Sequence, residues 1–403
     1  MSSSSLSGSI NQVVGEIGPF VDFFMNSKWA KKRGNLGICD FVVGNPHEAV
    51  VPGYADALRR WAQPQSNDWF AYQMSEPYAT EVVAQSLRAR LSVQFEPPHI
   101  TMTTGAMVGL TATIRCVSNP GDEVIFVTPP WFFYDAIITA SGSIPVRVPA
   151  HPDDFDLDLD AIQRAITPRT RAIIVNSPNN PTGRIYPSET LKRLSSLLGE
   201  ASTENGRTIY LISDEAYSHI LVPGAEFHSP VEFYPSTFLI YTYGKTLLTP
   251  GQRLGYIALS PEMPDLEQVS MGLIATMVTS GYGFPNAVLQ RGLADIDKLS
   301  IDIDHLNAKR DRMFSALGEL GYNVATPEGT FYLLARSPVE DDLAFSDRLA
   351  EQDVFVLPGT LFEMPGYFRV SLTATSEMIE AALPTFESAI EHSLEPLIAA
   401  SAD

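Results

Sequence analysis

The run YTYGKTLLTPGQRLGY, residues 241–256, sets one lysine and one arginine around the end of an apolar stretch. Lys245 comes just after Phe238–Tyr241, and Arg253 follows eight residues later, before a second apolar run at Gly255–Ser260. A primary amine at a strand end can condense with an aldehyde to a Schiff base. A guanidinium one loop away can hold an anion through paired N–H donors. Together they suit a small molecule that carries both an aldehyde and an anionic group.

Other stretches add chemistry of the same kind. In TTGAMVGL, Gly105, Ala106 and Met107 open a helix directly after an apparent strand. Small residues there let backbone N–H groups approach an anion. In PPWFFY, Trp131 is either a core aromatic or a surface on which a planar ring stacks. NSPNNPTG enforces an irregular loop in which the Asn180 amide can donate. SDEAYSHI places Asp214 and Tyr217 after the apolar run IYLI. A buried carboxylate needs a partner. For Asp214 that is a nearby cation or helix terminus, or the protonated nitrogen of a ring. An amine for a Schiff base, an aromatic stack, an anion for a pyridinium and a phosphate cradle describe pyridoxal 5'-phosphate. Its phosphate would meet the Gly105–Met107 amides, Thr242 and Arg253.

These residues need a frame. Val124–Thr128, Ala172–Val175, Ile209–Ile212 and Phe238–Tyr241 are short continuous apolar runs. Helical patterns lie between most of them, at Ala106–Val117, Leu159–Ile166 and Ser188–Leu198. Such alternation predicts an α/β fold with a mostly parallel sheet flanked by helices. Ligands bind such sheets at the carboxyl ends of the strands, where the reactive residues fall. After about residue 300 the texture changes to a long helix at Ile301–Leu320, short strands in FYLLA, VFVLP and FRVSL, and a helix at Ser376–Ser393. This predicts a smaller α+β domain built from the N- and C-terminal segments. The expected division is an N-terminal segment 1–50, a large cofactor domain 51–298 and a small C-terminal domain 299–403.

The 403 residues are 45% hydrophobic and 18% charged, an ordinary soluble composition. A net charge of −20 argues against a nucleic-acid partner, since phosphate backbones need clustered Lys and Arg. Cys39 and Cys116 form no metal-binding spacing, and buried thiols in a reducing cytoplasm are the reading. The start MSSSSLSGSINQVV lacks the basic and apolar regions of a signal peptide, and its serines read as a disordered tail. No apolar run is long enough to span a membrane.

Four pieces in order make the chain recognisable: NSPNNPTG, SDEAYSHI, the K-(x)7-R pattern of KTLLTPGQR, and FRVSLTAT. They resemble the class I/II aminotransferases, the fold-type I pyridoxal-phosphate enzymes, over Gly44 to Arg369. The resemblance implies that Lys245 carries the cofactor as a Schiff base and shuttles the substrate proton. It implies that Asp214 pairs with the pyridinium, and that Tyr217 and Asn180 hydrogen-bond the phenolic oxygen. Trp131 then stacks on the ring, and Gly105, Ala106, Met107, Thr242 and Arg253 hold the phosphate. Arg369 grips the substrate α-carboxylate with Asn180, close to the Gly44 backbone. Tyr72 reaches the phosphate of a neighbouring subunit, which implies a homodimer with shared active sites; a packed core tyrosine is the other reading.

The chain departs from the family pattern in places. Thr242 replaces the usual serine three residues before the lysine. Gly244 stands where serine or alanine is common, which predicts looser surroundings for Lys245. Met107 occupies a position where some aspartate-type relatives place lysine, and residues 271–285 contain no basic residue. A neutral amino donor is therefore expected, though Lys28, Lys31 and Lys32 lie in the N-terminal segment beside the aromatics Phe20, Phe23, Phe24 and Trp29. A β-eliminating lyase or cyclising synthase would share the same cofactor machinery. A non-catalytic regulator would need a DNA-binding module, and no helix-turn-helix is read before Gly44.

Overall fold

The computed structural model describes residues 5–400, with side chains through Glu391. The expected serine-rich tail falls largely on residues 1–4, outside the described residues. A helix, α1, already runs from Gly8 to Asn26, capped by the Ser7 hydroxyl, which accepts from the Ile10 N–H at 3.3 Å. Strand β1 (Cys39–Asp40) follows.

The larger unit is a seven-stranded sheet of β2 (Ile100–Thr103), β3 (Glu123–Thr128), β4 (Ile144–Pro149), β5 (Thr170–Asn176), β6 (Tyr210–Asp214), β7 (Thr237–Thr242) and β8 (Gly255–Leu259). Their order is β2-β8-β7-β6-β5-β3-β4. The five strands from β3 to β7 run parallel, and β8 alone lies antiparallel between β7 and β2. Every residue of β6, β7 and β8 is buried, as continuous apolar runs require when helices cover both faces. Helix Ala106–Val117 lies against one face through Leu110, Ile114 and Val117. Helix Ser188–Glu204 covers the other through Leu191, Leu194 and Leu198.

The smaller unit holds β9 (Tyr332–Arg336), β10 (Val354–Phe355), β11 (Leu357–Pro358) and β12 (Tyr367–Ser371). β11, β12 and β9 form an antiparallel sheet. Helices Ile303–Glu319, Asp342–Glu351 and Ser376–Ala400 accompany it, with Leu317, Phe345 and Phe386 in a common core. β1 pairs in parallel with β10, which ties the N-terminal segment to this unit. α1 itself lies on the larger unit: the Phe20 and Phe132 rings stack at 4.2 Å, and Glu16 accepts from the Thr139 hydroxyl at 2.8 Å. Among the described residues no helix is long and apolar enough to cross a membrane.

Candidate active site

β7 and β8 are antiparallel neighbours, so a single connection, Tyr243–Leu254, carries both Lys245 and Arg253. Thr242 ends β7 and caps the turn Tyr243–Thr246, its hydroxyl accepting from the Gly244 N–H at 3.4 Å. Lys245 projects from this turn, with Nζ 5.5 Å from the Tyr217 ring centroid and 5.8 Å from that of Phe331. Gly244 does not loosen this neighbourhood. An added Cβ would lie 3.0 Å from the Pro250 Cα, so glycine is what lets the returning backbone close over the turn.

Arg253 closes the connection in the left-handed region, at φ 51°, and donates to the Pro250 carbonyl at 2.8 Å. Burial pushes its guanidinium below the usual arginine range, a cost that an incoming anion would relieve. Gly105 has φ 89°, and a Cβ there would stand 2.6 Å from Arg253 Nη2. The backbone angle requires glycine at 105, and a side chain there would also displace the Arg253 guanidinium. The guanidinium thus sits against the start of helix Ala106–Val117, where backbone N–H groups have no intrahelical partner.

Asp214 ends β6 and is buried. Burial raises its carboxyl above the ordinary range, and two donors oppose this: the Tyr134 hydroxyl at 2.7 Å and the Ala216 N–H at 3.3 Å. Asn176, at the end of β5, donates to the Asp214 carbonyl at 2.9 Å and accepts from the Asn180 N–H at 2.8 Å. One asparagine therefore fixes both the Asp214 backbone and the loop that carries Asn180. Tyr217 is buried, and its hydroxyl lies 3.5 Å from that of Tyr332.

Arg369, in β12, is 2% exposed. Nη1 donates to the Asn180 side-chain oxygen at 2.8 Å and Nη2 to the Val42 carbonyl at 2.9 Å. Its guanidinium lies 3.9 Å above the Tyr332 ring. Buried Nε has no hydrogen-bond partner, and no carboxylate pairs with Arg369 among the described residues. Gly44 lies beside this end of the site; a Cβ on it would sit 2.7 Å from the Tyr332 hydroxyl and 2.8 Å from Phe331.

A cavity of about 380 Å³ joins most of these groups. Ala106, Met107, Trp131, Asn180, Asp214, Tyr217, Thr242, Lys245 and Arg253 line it, with Leu110, Asn176, Ala216, Gly244 and Pro250. Gly105 reaches the group through Arg253, and Gly44 and Arg369 adjoin it through Tyr332 and Asn180. Tyr72 is not brought together with them. It is 88% exposed, and its ring faces Phe284 at 5.1 Å beside a separate surface cavity.

The sequence reading did not single out Tyr134, Asn176 or Tyr332. Tyr134 stands three residues after Trp131 at the start of a helix, a spacing that could have paired them on one side. Asn176 is the polar residue that closes the apolar run AIIV, and was also findable. Tyr332 carried no local signal, because its partners come from β12 and from the segment after β1.

Comparison with known proteins decides the family. The class I and II aminotransferase family profile matches residues 35–386. The chain belongs to the class I and II aminotransferases. A probable aspartate/prephenate aminotransferase of Thermus aquaticus is 30% identical over 366 residues, covering 89% of this chain and 93% of that protein. One from Aquifex aeolicus is 30% identical over 392 residues, covering 93% and 96%. Among solved structures, an amino transferase from Eubacterium rectale has a TM-score of 0.85 at 28% identity, covering 96% of each chain. The Thermus thermophilus aspartate aminotransferase with maleate has a TM-score of 0.81 at 26% identity, covering 96% of this chain and 100% of that one. This aminotransferase is a pyridoxal-phosphate-dependent transaminase of fold type I, with the expected mostly parallel sheet flanked by helices.

Proposed function

We propose that this aminotransferase takes the amino group of an α-amino acid with a neutral side chain and passes it to a 2-oxo acid. The residues fit the cofactor. Asp214 is a buried carboxylate facing the cavity, Lys245 an amine beside it, and Arg253 with Gly105 a cationic corner at a helix start. Pyridoxal 5'-phosphate, when bound, supplies the aldehyde and the ring that withdraws electrons from the substrate Cα. Asp214 holds a proton at the ring nitrogen, and Tyr134 keeps Asp214 anionic. Tyr217 and Asn180 would donate to the phenolic oxygen, and Trp131 would cover the ring face. Gly105, Ala106, Met107, Thr242 and Arg253 take the phosphate. Lys245, which lines the cavity, would move the proton at the substrate Cα.

One observation carries the α-amino acid: Arg369 is buried, fixed on two sides by Asn180 and Val42, and keeps an unpartnered Nε–H. A planar carboxylate completes such a fork. The neutral side chain rests on the charges around it. Lys245 and Arg253 are the cations lining the cavity, and both have other work. In the N-terminal segment, Lys28 is engaged by Asp347 and Glu351, Lys32 by Asp353, and Arg33 stacks over Trp29. A distal carboxylate buried without a partner would cost several kcal/mol, on the order of a whole binding step. The relatives named as aspartate/prephenate aminotransferases favour a second reading, a dicarboxylic donor. An absorbance-monitored half-reaction with aspartate, glutamate, alanine, methionine and phenylalanine separates the two. Preference for aspartate over every neutral donor overturns the proposal.

The same reading takes residues 51–298 as the cofactor domain and 299–403, with the first 50 residues, as the small one. It also takes the protein as a cytoplasmic homodimer. Tyr72 and its exposed neighbours Phe70 and Phe284 would then face the partner, with Tyr72 reaching the partner's phosphate. Sedimentation of the wild type and of Tyr72→Phe, with cofactor titration of both, tests this.

A further inference from the structure

Among the described residues, Tyr332 is the buried phenol that touches both Arg369 and Tyr217. Its ring lies under the Arg369 guanidinium at 3.9 Å. This follows from sheet register: Tyr332 pairs with Ser371 across β9 and β12, and Arg369 is two residues from Ser371 on the same face. At its other end the hydroxyl lies 3.5 Å from that of Tyr217. The space for that hydroxyl exists because residue 44 has no side chain.

We propose that Tyr332 is a positioning residue that joins the substrate-carboxylate anchor to the cofactor side of the site. Its ring holds the Arg369 guanidinium flat, and its oxygen accepts from the Tyr217 hydroxyl. The proposal rests on the roles given above to Arg369 and Tyr217.

The direction of the hydroxyl contact follows from the charges around it. Both phenols are buried. Burial pushes Tyr217 well above the ordinary tyrosine range. Burial acts on Tyr332 in the same sense, but Arg369, then Lys245, then the Tyr217 contact outweigh it and leave Tyr332 below that range. Arg369 and Lys245 favour negative charge on the Tyr332 oxygen, so that oxygen accepts and the Tyr217 hydroxyl donates. Tyr217 has one O–H to give, so the Tyr332 oxygen competes for it with an oxygen in the cavity and tempers the donation made there. Asp214 and Lys245 are the other charged groups near the pair.

Tyr332→Phe removes the hydroxyl and keeps the ring; Tyr332→Leu removes both. Two readouts are needed besides turnover. The first is the pH midpoint of the visible absorbance of the cofactor-loaded enzyme. A donor to the phenolic oxygen draws charge from it and makes the neighbouring imine less basic, so losing part of that donation raises the midpoint. Tyr332→Phe frees the Tyr217 proton for that oxygen and should lower the midpoint by about half a unit, whereas Tyr217→Phe should raise it. The second is the dissociation constant of 3-phenylpropionate, a carboxylate that cannot react. It should stay near the wild-type value in Tyr332→Phe and rise about fivefold to tenfold in Tyr332→Leu, as loss of a desolvated cation–π platform implies. An unmoved midpoint in Tyr332→Phe, with a moved one in Tyr217→Phe, overturns the proposal and leaves the roles of Tyr217 and Arg369 standing. Unchanged 3-phenylpropionate binding in Tyr332→Leu, with binding lost in Arg369→Lys, overturns the platform in the same way. If neither Tyr217→Phe nor Arg369→Lys moves its readout, the underlying roles fail and the proposal falls with them.

Discussion

Tyr134→Phe removes one oxygen from the second layer of the site and should act on the chemistry far more than on the fold. The Tyr134 hydroxyl gives Asp214 its shorter hydrogen bond, 2.7 Å against 3.3 Å for the Ala216 N–H. A hydrogen bond to a charged acceptor contributes about 1.5–3 kcal/mol. Its loss raises the Asp214 carboxyl further. The direction matters, because burial already holds Asp214 above the ordinary carboxylate range. A still more basic Asp214 draws the shared proton away from the ring nitrogen, and the ring then withdraws less from Cα. If the shift is expressed in the rate, the half-reaction slows about 10- to 100-fold while cofactor affinity changes little. Stopped-flow absorbance with a saturating amino donor measures this step alone. The reasoning fails if the variant reacts within twofold of the wild type, or if Tyr134→Phe and Asp214→Asn slow the step by independent, multiplying factors. The cofactor-free protein offers a check without turnover. A carboxyl raised in the folded state favours folding below its unfolded value and loses that contribution as pH rises through the folded one. Tyr134→Phe should extend that loss to higher pH in thermal unfolding.

Other substitutions test separate parts of the site. Gly105→Ala places a methyl 2.6 Å from Arg253 Nη2 in a backbone conformation that alanine resists, so the cofactor dissociation constant should rise at least tenfold by fluorescence titration. Arg369→Lys exchanges a buried fork for a point charge, and kcat/KM for α-amino acids should fall by the equivalent of about 2–5 kcal/mol, read in steady-state kinetics. Gly44→Ala pushes on the Tyr332 hydroxyl and Phe331, and KM should rise more than kcat falls. Glu215 is buried and accepts from Ser213 at 2.9 Å and Ser229 at 2.5 Å, yet burial pushes it up to about 7. Its contribution to stability is full below about pH 4.5 and is lost toward pH 7, so Glu215→Gln should flatten the pH dependence of the melting temperature across that window.

Much of this was readable from the chain because its strands are short, continuous and apolar. Such runs leave little choice of fold, and each ends at a residue unsuited to a core: Asp214 after IYLI, Thr242 and Lys245 after FLIY. The parts that were not readable depend on tertiary choices. β4 is an edge strand of mixed exposure, so IPVRVP shows no run to detect. α1 has Pro19 inside it and no residue fully buried, and its Phe20 packs on Phe132 and Phe133 more than a hundred residues away. Arg369 had meaning only through resemblance, since nothing near it in sequence tells that Asn180 and the Val42 carbonyl would leave its Nε–H open. Tyr134 and Tyr332 share that difficulty. A second-layer partner is chosen by where two elements meet, and local pattern does not record the meeting.

The antiparallel strand β8 has a mechanical consequence. A parallel neighbour of β7 would need a long crossover, and the amine and the phosphate-side cation would belong to separately moving pieces. Here Thr242 and Gly255 face each other as ladder partners, and both feet of the connection stand on one hydrogen-bonded corner. A Cβ on Gly255 would lie 2.4 Å from the Tyr241 carbonyl and 3.0 Å from the Gly105 Cα, so the exit of β2 is clamped to the same corner. The distances among the segments proposed to hold the cofactor are therefore built into the sheet. Loading the enzyme then resembles a key entering a cut lock. Little chain entropy remains to be lost, and the affinity comes from contacts that do not first have to order their own backbone.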